Sequence, residues 1–539
     1  MTTIDDIPGN LLRKPSGETG DELQRAPSDY KSLHSFRLDK DKPYKQQFAD
    51  MYFLRLTKIK PAVEQLASAA WDNQVMVIGE EPVRKAERVL DIRQGEFCWV
   101  SGTVYMDMPL KPNILEDVSK DRWLSAPISN KKYYSDDGSD AITLEDESGR
   151  IRLVGNVLNS VLLVTGCIIA VMGTENANGE LEVMDLKFPD LPPQPERRAL
   201  FKSPAGAKSD ATKGKTKTKA KAKPKDENTK ITDAETTDTE MTDAEIREAE
   251  MIIADTKASG PKIAIVSGLG FSGSDASHAI ELNLLLEFLL GESLDPSAQQ
   301  EVSQISRLII AGNSISLEER RPGADEDLTD KKAHKKYGYD SSAYNALPSQ
   351  LLDEFLSALL PSIPVTLLPG AQDPANASFP QQPIHPAMFP LSRPYTAPPT
   401  ATDAEPGWFD SVTNPWEGEI DGWRVLGTGG QNIDDIFKYV DSNDRLGMME
   451  ATCRWRCSAP TAPDTLWSYP FQDDDPFVMQ TCPHLYFAGC QPEFGTKVIQ
   501  GPEGQTVRLV SVPSFADTQE IVLVDTETLD VTKVKIATV

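Results

Sequence analysis

The sequence predicts a mixed fold, a small closed β-barrel joined to an α/β domain of two packed sheets flanked by helices. Three observations lead there. From Val83 to Pro192 the apolar period is two residues, and glycine-containing turns separate the short runs. From Lys262 to Leu368 short apolar runs alternate with helical periods, the mark of parallel strands joined by helices. Between the two regions, residues 193–260 are charged and poor in apolar side chains, so they read as a linker. A length of 539 residues fits two to four domains at roughly 100–200 residues each.

The elements follow in order. Residues 1–42 are polar and punctuated by Pro and Gly, and read as a flexible, disordered tail. Residues 43–82 form a helical segment, in which Phe48, Met51, Tyr52, Leu56, Ile59, Val63 and Leu66 recur at helical spacing. Pro61 kinks it or opens a second helix. The segment is too apolar to hang free, so it packs on the barrel or on a partner. Residues 83–192 supply the strands Phe97–Val104, Ile142–Asp146, Arg150–Gly155, Val164–Met172 and Leu181–Phe188, with turns at Glu147–Gly149 and Thr174–Gly179. Five strands with such turns match an OB fold.

Residues 261–539 make the α/β domain. Strand Lys262–Ser267, loop Gly268–Gly273 and helix Ile280–Leu290 come first, then strand Arg307–Asn313 and a polar loop over 314–346. Helix Leu347–Leu360 and strand Pro364–Leu368 follow. Beyond Gly422 helical periods fade apart from Ile433–Val440. Strands at Gly422–Leu426, His484–Phe487, Thr506–Val512 and Glu520–Val524 then imply a second sheet. Trp408, Phe409 and Trp416 lie in a Pro-rich insertion, either as surface covered by a partner or as a local lid on the sheet.

Charge and composition exclude several classes. The net charge is −27, from 55 basic and 82 acidic residues. Lys202–Glu250 holds eleven of each, so the whole excess belongs to the rest of the chain. An acidic body repels phosphate backbones, and the barrel strands offer few aromatics for base stacking. A protein-docking barrel is therefore expected over a single-strand-binding one. The linker carries nine lysines from Lys202 to Lys225, then ten acidic residues from Asp226 to Glu250. It reads as a solvated tether and, compatibly, as a nuclear-import or weakly DNA-contacting tract. The longest apolar stretch, Val161–Met172, is interrupted by Thr165 and Gly166, well short of the ~20 residues of a membrane span. No basic-then-apolar start indicates a secretory signal, and six scattered cysteines do not make a disulfide framework. A soluble intracellular chain is expected.

Three motifs carry potential chemistry. Gly268-Leu269-Gly270-Phe271-Ser272-Gly273 is a literal G-x-G-x-x-G between strand and helix, but no acidic residue ends the next strand, so no cofactor is expected. Cys453, Cys457, Cys482, His484 and Cys490 have the look of a zinc set. With Arg454–Arg456 read as strand, the first two thiols stand some 13 Å apart at ~3.3 Å per residue, and no metal is expected. The third motif resembles the scaffold of a calcineurin-like metallophosphoesterase. That family places Asp-x-His, Gly-Asp, Gly-Asn-His-Asp and Gly-His-x-His after successive strands, to hold two metals and a hydroxide. Here Ser267 stands for Asp, Leu269 for His and Asn313 for Asp. Ala371 and Gln372 replace Asn and His, Cys490 and Pro492 replace the last two His, and only Asp373 is retained. None of His34, His278, His334, His385 and His484 falls on a ligand position. Leu269 and Pro492 are expected to line the former pocket with apolar surface, and Asp373 to cap the segment after Gly370.

Longer strings complete the pattern: Tyr44–Ala49, Met108–Leu115, Val266–Gly270, Leu308–Asn313, Leu368–Gly370, Phe379–Pro386, Gly430–Ile433, Pro460–Leu466 and Pro483–Gly489. Through them the chain resembles the small, or B, subunits of DNA polymerase delta, outside the tails and the linker. The long lysine-then-acid linker departs from the shorter spacer of that family. The resemblance implies an OB fold joined to a catalytically dead phosphoesterase domain, with no catalytic residues, cofactor or metal of its own. It implies a nuclear scaffold that holds the catalytic subunit through its C-terminal cysteine-rich metal module. It also implies a further accessory subunit reaching the sliding clamp, in DNA replication and repair synthesis, with DNA met mostly indirectly. A surviving phosphoesterase and a single-strand-binding barrel are the competing classes.

Overall fold

The computed structural model describes residues 23–39, 48–72, 77–78, 81–112, 132–198, 260–274, 277–292, 295–316, 345–397 and 407–536. The linker tracts, the first part of the tail and most of the polar loop 314–346 lie outside the described residues. Among the described residues no helix is long and apolar enough to cross a membrane.

The chain enters as strand β1 (Tyr30–Ser32), then helix α1 (Phe48–Trp71). Met51, Arg55, Ile59, Val63, Ala67 and Trp71 are buried along one face of α1 at the four-residue spacing of a single stripe, with Leu56 beside them. The helix runs through Pro61, so no second helix opens at that residue. After the short ladder of β2 (Val77–Ile78) and β3 (Glu81–Pro82) come β4 (Arg84–Lys85), β5 (Phe97–Asp107), β6 (Ala141–Glu145), β7 (Arg150–Val154), β8 (Ile168–Glu175) and β9 (Glu180–Lys187). Their order is β4-β5-β6-β7-β9-β8, and β8 returns to β5. Closure works because β5 is eleven residues long and pairs twice, Phe97–Thr103 with β8 and Thr103–Asp107 with β6. The apolar face of α1 packs on β8 and β5.

The α/β body runs β10 (Lys262–Val266), α2 (Ala279–Leu290), α3 (Pro296–Ser303), β11 (Ile305–Ala311), α4 (Leu347–Leu359), β12 (Val365–Leu368), β13 (Phe409–Ser411), β14 (Trp416–Ile420) and β15 (Trp423–Thr428). It continues with α5 (Gln431–Tyr439), α6 (Arg445–Arg454), β16 (Leu485–Gln491), β17 (Gly495–Gln500), β18 (Thr506–Pro513), α7 (Phe515–Thr518), β19 (Glu520–Asp525) and β20 (Val531–Lys535). The first sheet is β13-β12-β11-β10-β19-β20, parallel from β13 to β10, and the second is β1-β14-β15-β16-β18-β17. Strand alternation explains the layering. Ile263 and Ile265 face the second sheet, whereas Ala264 and Val266 face Leu285 and Leu289 of α2 and Leu356 of α4. Both faces are buried, so β10, β11 and β12 read as continuous apolar runs.

Several expectations are corrected. The tail is ordered over 23–39, where β1 pairs antiparallel with β14 and Leu33 N donates to the Glu417 carbonyl. Polar composition hid this, because only Tyr30 and Phe36 are large apolar anchors. Residues 193–198, expected as linker, lie on the α/β body: Cys482 N donates to Pro193 O, and the Arg197 guanidinium sits 4.3 Å from the Trp423 ring centre. Phe409 and Trp416 are buried, and only Trp408 of that trio is exposed. Arg454 ends helix α6, so the strand expected between Cys453 and Cys457 is a helix end and turn. Asp444 caps that helix by accepting from Gly447 N at 2.8 Å, a start signal that residue type alone displays.

Barrel and α/β body share one apolar cluster, from Trp99 and Val171 of the barrel to Ile433, Met449 and Trp455. Arg55 of α1 crosses this junction. Its Nε donates to Asp475 Oδ2 (2.8 Å), and its Nη1 to the carbonyls of Pro460 (2.7 Å) and Ala462 (2.8 Å).

Candidate functional site

Parallel strands end at one edge, so the loops after β10, β11, β12 and β16 meet on a single rim. Their backbones are bonded to one another. Gly268 N donates to Gly312 O (2.8 Å), Gly270 N to Asn313 O (3.1 Å) and Phe271 N to Ser314 O (2.9 Å). Three N–H groups of the G-x-G-x-x-G loop, those of Gly268, Gly270 and Phe271, are therefore occupied by the neighbouring loop, and α2 begins only at Ala279. The β11 and β12 loops touch backbone to backbone: a Cβ on Gly370 would lie 2.2 Å from Asn313 N.

Ser267 and Asn313 on the rim are engaged by main-chain groups. Ser267 is fully buried, donates through Oγ to Pro513 O (2.9 Å) and accepts from Cys490 N (2.8 Å). Burial pushes the Cys490 thiol far above its usual range, so it stays protonated. Asn313, at φ +50°, accepts through Oδ1 from Gln372 N (3.0 Å). Behind them, Asn414 Nδ2 donates to Gln381 Oε1 (3.0 Å) and Gln431 Oε1 (2.8 Å), Gln431 Nε2 to Gln381 Oε1 (2.7 Å), and Gln381 Nε2 to Gly370 O (3.0 Å). Position-by-position comparison with metal ligands missed this amide network. Its signal lay in the strings Phe379–Pro386 and Gly430–Ile433, which contain Gln381 and Gln431.

The rim thus gathers Ser267, Asn313, Gln372, Asp373 and Cys490. Leu269 and Pro492 are corrected: Leu269 turns into the apolar core beneath the sheet, and Pro492 and Ala371 are exposed. The cleft above the rim has a volume of about 370 Å³ and is lined by Asn313, Gln372, Cys490, His278 and Asp517. His278 had no assigned place; its Nε2 lies 2.9 Å from the Leu269 carbonyl. Among the described residues no three His, Cys, Asp or Glu side chains stand close enough to share an ion.

Asp373 does more than cap its own turn. Its Oδ2 accepts from Gly370 N (2.7 Å) and its Oδ1 from Ile315 N (2.9 Å), joining the β12 and β11 loops. Burial pushes its pKa up to about 6, against the pull of those N–H groups. A raised folded-state pKa favours the protonated form, so this stability is fully present below the unfolded value near ~3.9 and is lost as pH climbs through about 6. At ~1.36 kcal/mol per unit the loss is about 3 kcal/mol. Urea titrations of the native chain and of Asp373→Asn from about pH 4 to about pH 7 should differ by that slope. The variant should also be weaker by about 1–3 kcal/mol in acid, since its amide NH₂ faces a backbone N–H. Parallel curves would refute the assignment.

The pairing of barrel and two-sheet body has counterparts among polymerase accessory chains. The family model described as the B subunit of DNA polymerase alpha/epsilon matches residues 263–496. The model described as DNA polymerase delta subunit OB-fold domain matches residues 47–186, so the barrel is an OB fold and the class is that of polymerase B subunits. The DNA polymerase delta small subunit of Arabidopsis thaliana is 32% identical over 508 residues, covering 94% of this chain and 95% of the plant protein. That of Saccharomyces cerevisiae is 32% identical over 533 residues, covering 94% and 93%. Drosophila melanogaster DNA polymerase delta subunit 2 is 31% identical over 509 residues, covering 94% and 97%. The chain belongs to the DNA polymerase delta small-subunit family.

Proposed function

We propose that this chain is a non-catalytic scaffold of the DNA polymerase delta complex. As a member of the small-subunit family it is an accessory subunit in DNA replication, with a polymerase as its partner and a nuclear role. In the finer reading, residues 261–539 are a calcineurin-like phosphoesterase domain that has lost its metals, joined to the OB domain of residues 83–192 through a linker narrowed to residues 199–259. The scaffold grips the C-terminal cysteine-rich module of the catalytic subunit and a third subunit that reaches the sliding clamp. The observation that carries this reading is the rim. Where two-metal chemistry needs converging carboxylates and imidazoles, the Ser267 hydroxyl and Asn313 amide are engaged by main-chain groups, Gln372 offers an exposed amide and Cys490 a protonated thiol, and Asp373 is buried beneath them. A cation there would meet one carboxylate already holding two N–H groups. The net charge of −27 suits a basic, metal-bearing partner module.

The purified chain should hydrolyse phosphate esters and DNA only at background rates with added manganese. A manganese-stimulated rate abolished by Asp373→Asn would overturn the scaffold reading. Co-expression with the cysteine-rich module should give a stoichiometric complex, and its absence would remove the tether.

A further inference from the structure

The chain passes from barrel to body before residue 199. Just after β9, Arg456 of the body donates to the carbonyls of Asp190 (2.7 Å), Pro189 (3.0 Å) and Leu191 (3.1 Å). Gln194 bonds the body through both ends of its amide. Its Nε2 donates to Pro483 O (3.0 Å) and Thr506 O (2.7 Å), and its Oε1 accepts from Thr506 N (2.9 Å). Residues 189–198 therefore make the whole crossing, held to the body along their length.

The next bonds fix where residues 199–259 leave the body and where they return. On the exit side, Arg198 N donates to Gly422 O (3.1 Å), and its guanidinium pairs with Asp29 (2.6 Å) and Glu419 (3.3 Å). Gly422 sits at φ +80°, and a Cβ there would lie 2.2 Å from Arg198 O, so glycine lets the exit strand come this close. The Arg197 guanidinium lies over the Trp423 ring and donates to Asp421 O (3.2 Å) and Thr526 O (2.9 Å). Trp423 Nε1 donates to the same Thr526 carbonyl (2.6 Å). On the return side, Thr526 N and Oγ1 both donate to Pro261 O (2.8 and 3.1 Å), and a Cβ on Gly260 would lie 3.1 Å from Glu527 Cγ. Exit and return thus meet on one residue, Thr526, in the turn between β19 and β20.

We infer that residues 199–259 are an arm rooted at a single point of the body and insulated from the docking of barrel on body. A tether spans the gap between the parts it joins, whereas this segment spans only the width of its own root. Its length then enters the stability of the chain as loop-closure entropy alone, which grows with the logarithm of the number of residues. Contacts made with the arm, or changes to its lysine and acidic tracts, leave the barrel–body junction unloaded. The inference rests on the root and does not depend on the scaffold reading.

The test replaces residues 199–259 of the full chain by Gly-Ser segments of ten and of twenty residues, the shorter reaching ~33 Å at ~3.3 Å per residue. Closing about 60 residues between fixed ends costs more than closing a short segment, by the three-halves power of the length ratio. The folding equilibrium constant should therefore rise about 15-fold with ten residues and about 5-fold with twenty, read as higher urea midpoints in an unchanged single transition. A second version keeps the whole arm and carries a specific protease site at its middle. After cleavage the two pieces should co-elute as one species of native size, because β1 of the first pairs with β14 of the second and both share one apolar cluster. A midpoint at or below that of the native chain would mean that the arm contributes contacts to the fold. A ten-residue version weaker than the twenty-residue one would place exit and return at separate points. Either result, or separation of the cleaved pieces, would overturn the inference.

Discussion

Replacing Arg55 by alanine should lower stability by about 3–5 kcal/mol, the usual cost of removing one partner from a buried ion pair. Arg55 and Asp475 are nearly inaccessible, with side-chain exposures of 5% and 0%. Burial works against the Arg55 charge, but Asp475 beside it more than offsets this and holds the guanidinium above its usual pKa. Without Arg55, Asp475 keeps only the bond from Phe477 N, and the Pro460 and Ala462 carbonyls lose their donor. Those carbonyls belong to the α/β body and Arg55 to the helix packed on the barrel, so the loss falls on the junction. Urea unfolding followed by tryptophan fluorescence should show a lower midpoint and a barrel transition separating from that of the body. A change under about 1 kcal/mol with one unchanged transition would mean the pair contributes nothing to docking.

Gly166→Val should weaken the same junction from the barrel side. Gly166 sits at φ +92°, where a β-branched residue costs about 1–3 kcal/mol in backbone strain. A Cβ there would also lie 1.9 Å from the Pro460 carbonyl oxygen and 3.2 Å from Arg55 Nη1. Either the loop or the carbonyl must move, and moving the carbonyl breaks the Arg55 bond. The total should exceed the strain alone, roughly 3 kcal/mol or more. The double variant with Arg55→Ala should lose less than the sum of the two, because both act on the Pro460 carbonyl. Strict additivity in the same titration would place the two residues in separate contacts.

The elements easiest to read were those whose pattern is local. The two-residue period of β5, β7 and β9 and the apolar runs of β10, β11 and β12 are visible because each buries a face or both. Helix α6 was hidden by its composition: Gly447, Thr452 and Cys453 are weak helix formers, and its residues pack on β17 and β18 as well as on α5, which blurs any stripe. Strand β1 was hidden because three residues make no period, and its stability comes from β14, nearly four hundred residues away.

The sequence by itself determined which residue types follow these strands, Ser267, Leu269, Asn313, Ala371, Gln372, Cys490 and Pro492, since that is a matter of residue type alone. Tertiary structure decided where those side chains went: Leu269 into the core, Pro492 to solvent, and Asp373 beneath the rim as a tie between loops. It also decided that Trp416 is core and Trp408 surface, and that Arg55 joins barrel to body. The physical reason is range. Periodicity and residue type act over a few neighbours along the chain, whereas burial and charge pairing depend on which distant segments the sheets bring into contact.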